Sequence, residues 1–136
     1  LLEARPAAHP VAARSGASAV AWAEHFAARV AETRKHWADR IAGARRNGLR
    51  LALWGSGSKA VGFCSGLALA DELVCVVDIN PAKQGTFQPG AGLPIVSPAD
   101  LPGYAPDVVI AMNPVYRSEI QAELDRLGVR AELLAL

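Results

Sequence analysis

The segment LALWGSGSKAVGF, residues 51–63, passes from an apolar run through a glycine-serine turn into a stretch with helical spacing. LRLALW (49–54) is short and continuously apolar, as expected of a parallel strand covered on both faces. Gly55-Ser56-Gly57-Ser58-Lys59-Ala60 then fits G-x-G-x-x-A, placed directly after that strand and before a helix. In such a turn the first glycine permits the sharp bend and the second lets a ligand approach the backbone. The small Ala60 lets the helix pack close to the sheet. Free amides at the helix start attract phosphate. The same turn also serves α/β domains that hold no nucleotide, so the motif alone leaves both readings open. Lys59 does not complete a P-loop, because the longer G-x-x-x-x-G-K-[ST] spacing is missing.

Downstream, the rhythm is that of alternating strands and helices. Ser58–Ala70 reads as a helix with Val61, Cys64, Leu67 and Leu69 inward. ELVCVVDI (72–79) reads as a buried strand rich in β-branched residues. NPAKQGTFQPGAGLP (80–94) holds too much Gly and Pro for regular structure, and a short Ile95-Val96 strand follows. Ser97-Pro98 opens a helix, DVVIAM (107–112) is a third strong strand, and Asn113-Pro114 opens a helix running to Gly128. VRAELLAL supplies an edge strand. This order predicts an α/β domain with a mostly parallel, doubly wound sheet.

Upstream, residues 1–16 are rich in Ala and Pro and read as a linker or strap. Residues 17–47 form a leading helix in which Val20, Ala23, Ala27, Val30, Trp37, Ile41 and Ala44 recur at helical spacing. Ser18 is its expected N-cap and Asn47-Gly48 its stop. Trp22 and Phe26 lie at the edge of that stripe. Residues 17–136 thus form one domain, with an α/β core over 49–136. The chain begins at Leu1 without Met and reads as a piece of something longer.

Composition narrows the function. The 14 Lys plus Arg nearly balance the 13 Asp plus Glu, and no basic run is interleaved with aromatics, so no nucleic-acid partner is expected. No apolar window is long enough to span a membrane. Cys64 and Cys75 read as small core residues of a reduced, cytoplasmic protein, and no Cys/His spacing suits a metal. His9, His25 and His36 fall in the leader and leading helix and read as solvated.

In a doubly wound sheet, ligands sit at the carboxyl ends of the strands. Three loops fall there. The first, 55–59, offers Gly55, Ser56, Gly57, Ser58 and Lys59. The second, 78–85, offers Asp78, Asn80, Lys83 and Gln84, with Asp78 placed where a dinucleotide domain keeps its ribose-binding acid. The third, 112–117, offers Asn113, Tyr116 and Arg117. Together they supply cations for phosphate, amides for a base or sugar, and a ring for stacking. An NAD(P)-binding module of an oxidoreductase is one reading, and a degenerate domain that only packs on a partner is another.

WGSGSKAVGF, VVDINPAKQGTFQPGAGLPIVSP and PDVVIAMNPVYRSEI together resemble the C-terminal domain of the SAM-dependent sugar C-methyltransferases of deoxysugar biosynthesis. The resemblance covers about residues 49–134 and implies a Rossmann-like, three-layer fold that anchors the dTDP part of a keto-deoxysugar. It implies that Gly55, Gly57 and Lys59 shape the turn near the phosphates, that Lys83 and Gln84 face the crevice, and that Asn113 and Tyr116 lie opposite. A central SAM-binding domain would carry the base and the cofactor. This domain itself is expected to bind no cofactor and to hold no catalytic residue, because the chain has no zinc-binding cysteine cluster, acidic glycine-rich SAM motif or base-bearing His/Tyr segment.

Overall fold

A computed structural model describes residues 16–136, with side chains from residue 19 onward. The expected leader, 1–16, lies almost wholly outside the described residues. The leading helix α1 (Gly16–Arg46) starts two residues before Ser18, so Ser18 sits inside the helix and does not cap it. Its end is as expected: Gly48, at φ +68°, sends its amide to the Arg45 carbonyl, and the Leu49 amide reaches the Ala44 carbonyl. By its contacts the chain divides into two units, residues 1–35 and His36–Leu136. In the first, Val20 and Val30 of the expected apolar stripe are exposed, as are Trp22 and Phe26 at its edge.

The second unit carries a five-stranded sheet formed by β1 (Leu51–Trp54), β2 (Leu73–Val77), β3 (Ile95–Val96), β4 (Val108–Ala111) and β5 (Glu132–Ala135). All neighbours are parallel, in the order β3-β2-β1-β4-β5. Continuous burial of β1 and β4 follows from helices on both faces. On one face Leu53, Val76 and Ile110 meet α2 (Ser58–Leu67) through Ala60, Phe63 and Cys64. The last turns of α1 add Trp37 and Ile41 to this core, with Trp37 edge-on to Phe63 at 5.5 Å between rings. On the other face Ala52, Cys75 and Val109 meet Leu101 of α3 (Leu101–Tyr104) and Ile120 and Leu124 of α4 (Arg117–Arg126).

Helix α2 is shorter than its sequence suggests. It stops at Leu67, where Ala68 takes a left-handed conformation and returns its amide to the Cys64 carbonyl, which turns Leu69 into the core. Strand β2 stops at Val77; the Asp78 amide still reaches the Val96 carbonyl of β3 at 3.0 Å, while its carboxylate serves the glycine turn beside it. The helix expected at Pro98 begins as a single 3-10 turn before α3, and that expected at Pro114 begins the same way before α4.

The chain builds β1 to β3 outward in one direction, then crosses back to lay β4 on the other side of β1. Beyond β1 the chain continues into α2 on one face, and beyond β4 into α4 on the other. The two connections diverge, which opens a crevice at the carboxyl edge between them.

Two measurements test this core. Ile110 is fully buried, so Ile110→Ala should lower unfolding free energy by about 2–5 kcal/mol in denaturant titrations. Burial raises the Cys64 thiol and pushes Cys75 up to about 12, against a smaller lowering by the Arg50 charge. Neither cysteine should react with a disulfide reagent at neutral pH until the chain unfolds; rapid labelling of the folded chain would contradict the packing.

Candidate functional site

Gly55 makes the turn at the end of β1 at φ +107°, a conformation that side chains rarely adopt. A Cβ there would also lie 3.4 Å from that of Met112, at the end of β4. Gly57 differs. Its φ of −72° suits any residue, and a Cβ added to it would meet nothing within 4 Å. No internal contact demands a glycine at Gly57, and its backbone stands open at the start of α2.

Asp78 holds the turn in place. Its Oδ2 accepts the Ser56 amide at 3.0 Å, the Ser56 hydroxyl, and the Lys83 ammonium at 3.3 Å. Its Oδ1 accepts the Asn80 amide at 2.9 Å. Burial would raise the Asp78 carboxyl, but the hydrogen bonds from Ser56, Asn80 and Lys83 outweigh it and hold the group below its ordinary value. The following loop folds onto the same residue. The Gln84 side-chain amide donates to the Asp78 carbonyl at 2.9 Å, and the Asn80 side chain accepts the Ala82 amide. Asp78, Asn80, Lys83 and Gln84 therefore form one hydrogen-bonded unit around the glycine turn.

In the third loop, Asn113 caps the turn that opens α4, its Oδ1 accepting the Val115 amide at 3.1 Å. Tyr116 stands half exposed one turn on.

These loops meet at a crevice of about 380 Å³. Gly55 and Trp54 line it from β1, Asp78 and Ile79 from β2, and Met112, Asn113 and Tyr116 from β4. Its volume lies toward the small end of ligand pockets, roughly 300–1,000 Å³, enough for one ring system with part of a sugar. A smaller cavity of about 280 Å³, between Asp107 and Arg130, lies at the opposite edge of the sheet.

The twelve expected site residues thus separate into groups. Gly55, Asp78, Asn113 and Tyr116 line the crevice. Ser56, Asn80, Lys83 and Gln84 brace Asp78. Gly57, Ser58 and Lys59 form the start of α2, with the Lys59 ammonium 3.5 Å from the Leu136 carbonyl. Arg117 turns toward β5 and donates to the Leu133 carbonyl. The sequence reading missed Ile79, Glu119, Ile120 and Glu123, which also line the space. Helical spacing from Tyr116 carries the signal for three of them, since positions three, four and seven residues on share its face.

The depressed Asp78 carboxyl sets a pH dependence. A carboxyl lowered in the folded state contributes stability above its unfolded value, and that contribution is lost as the pH falls through the lower folded value. Thermal melts should therefore weaken as the pH drops below about 4, and Asp78→Asn should flatten that part of the profile. Asp78→Ala, which leaves the buried Ser56 hydroxyl unpaired, should cost about 1–3 kcal/mol.

No curated protein matches this sequence. Among solved structures, the chain is similar to UDP-D-quinovosamine 4-dehydrogenase from Vibrio fischeri, with a TM-score of 0.52 and 20% identity over 65% of this chain and 77% of that one. That likeness is one of fold: a Rossmann-like α/β arrangement. The sequence itself matches the C-methyltransferase C-terminal domain over residues 11–131. The match spans α1 and the α/β core as far as the residue before β5, with the three crevice loops inside it. The chain therefore belongs to the C-methyltransferase C-terminal domain family.

Proposed function

We propose that this domain holds the nucleotide of a dTDP-linked keto-deoxysugar and orients the sugar for methylation. The methyl donor, S-adenosylmethionine, and the base that removes the sugar's proton would reside in a central domain of the parent cytoplasmic enzyme. This domain would bind the substrate and contribute no catalytic group.

The observation that carries the reading is the meeting of three carboxyl-edge loops at one crevice, beside a helix start left open by Gly57. The first amides of α2 have no partner within their helix, and the helix dipole adds positive potential there. A diphosphate at that point would gain charge-assisted hydrogen bonds, with Lys59 nearby on the first turn. Fixing the nucleotide in this way would restrict the sugar, and such positioning can be worth several kcal/mol of barrier. Trp22 and Phe26, exposed on α1, would offer apolar surface to the neighbouring domain.

An NAD(P) module fits less well. The acid that would take ribose hydroxyls, Asp78, already accepts three donors on Oδ2 and one on Oδ1. A carboxylate has about four acceptor sites, so little capacity is left for a ribose.

Gly57→Asp separates binding from folding. Asp is a favoured helix N-cap, and the added side chain would enter open space, so melting temperature should hold or rise. The same carboxylate would repel a diphosphate. Calorimetry should show dTDP binding to the unaltered chain and at least tenfold weaker binding to Gly57→Asp. Equal binding by both, or dTDP failing to bind at millimolar concentration, would contradict the proposal.

A further inference from the structure

The crevice is chemically one-sided. Trp54, Ile79, Met112 and Ile120 give it apolar walls, and Tyr116 places an aromatic ring on the lining. Its charged lining groups are all carboxylates, from Asp78, Glu119 and Glu123, with no Lys or Arg among them. Two of the three are already engaged. Asp78 serves the glycine turn, and the two Glu123 oxygens accept the Arg126 guanidinium at 2.7 and 2.6 Å. Glu119, in the first turn of α4, has no ion-pair partner among the described residues. Asn113 adds the opposite capacity. Its Oδ1 is taken by the Val115 amide, which leaves its side-chain NH₂ to donate.

Phosphates in this space would face apolar walls and like charge. A flat, uncharged ring would find a partner for stacking, and an N–H on its edge would find a carboxylate acceptor.

We propose that the crevice receives the base of the nucleotide, with Glu119 accepting a hydrogen bond from the base's ring N–H and the diphosphate lying outside it, at Gly57–Lys59. This rests on the nucleotide reading above and adds a direction to it: the base toward α4, the phosphates toward α2. Glu119 is then a specificity-determining residue, favouring a base with a protonated ring nitrogen over one whose nitrogen is alkylated.

Titrations of the ¹⁵N-labelled chain with thymidine, 3-N-methylthymidine, inorganic pyrophosphate and dTDP test this placement. Thymidine should shift the amides of Ile79, Asn113 and Tyr116, whereas pyrophosphate should shift those of Gly57–Lys59. Methylation of the ring nitrogen should weaken nucleoside binding about tenfold, as should Glu119→Gln. That variant should leave pyrophosphate binding unchanged. If dTDP binds but is indifferent to both changes, the base placement falls while the nucleotide reading stands. Tighter dTDP binding by Glu119→Gln would also overturn the placement, since it would put phosphate against the carboxylate. If neither dTDP nor thymidine binds, both readings fall. The methylated nucleoside keeps the test independent of how any variant folds.

Discussion

The carboxylate of Asp78 is the tie on which the carboxyl edge depends. It leaves the end of β2 and takes the amide and hydroxyl of Ser56, fixing the turn that ends β1. Lys83 and Asn80 then close around it, Gln84 donates to the Asp78 carbonyl, and the next loop is held against the same point. Two loops that could otherwise move independently become one wall of the crevice. The opposite wall comes from Asn113, whose cap on the start of α4 aims Tyr116 and the residues one and two turns on. Local hydrogen bonds at strand ends therefore set both walls, while the buried core holds β1 beside β4 and lends Trp54, Met112 and Ile120 to the lining.

Much of this was legible in the residues themselves. Continuous apolar runs at 51–54 and 108–111, separated by helical spacing and glycine turns, determine a parallel sheet. Gly55 could be assigned to a strained turn because the residue type and its place after a strand agree. Side-chain direction was not legible. Lys83 reads as a phosphate ligand in the sequence, yet its ammonium lies on Asp78; Arg117 reads as a crevice cation, yet it reaches Leu133. Long cationic side chains settle on whichever acceptor the fold brings near, and one-dimensional spacing does not contain that information. The apolar stripe of α1 held only in part for a related reason: periodicity marks a face, but among its members only Trp37, Ile41 and Ala44, toward its end, meet a core.

The dehydrogenase neighbour shares the arrangement of strands and helices at low identity, and fold alone does not fix chemistry. In the reading proposed here, this domain departs from a dinucleotide-binding site at the acid after β2. An acid that would grip a ribose is turned inward to brace a turn. The ligand would then be held from either side of Gly55: charge recognised at the open start of α2, a ring recognised in the apolar space beside α4. Division of labour of this kind suits a domain whose contribution is orientation, since two unlike contacts a few residues apart define a direction as well as an affinity.

The most direct measurement is a crystal structure of the chain grown with dTDP. The account predicts one bound molecule that straddles the Gly55 turn, its phosphates on the Gly57–Lys59 amides and its ring between Tyr116 and Ile79. Density for the nucleotide in the cavity beside Asp107 and Arg130, or a crevice that excludes it while binding in solution persists, would contradict the account.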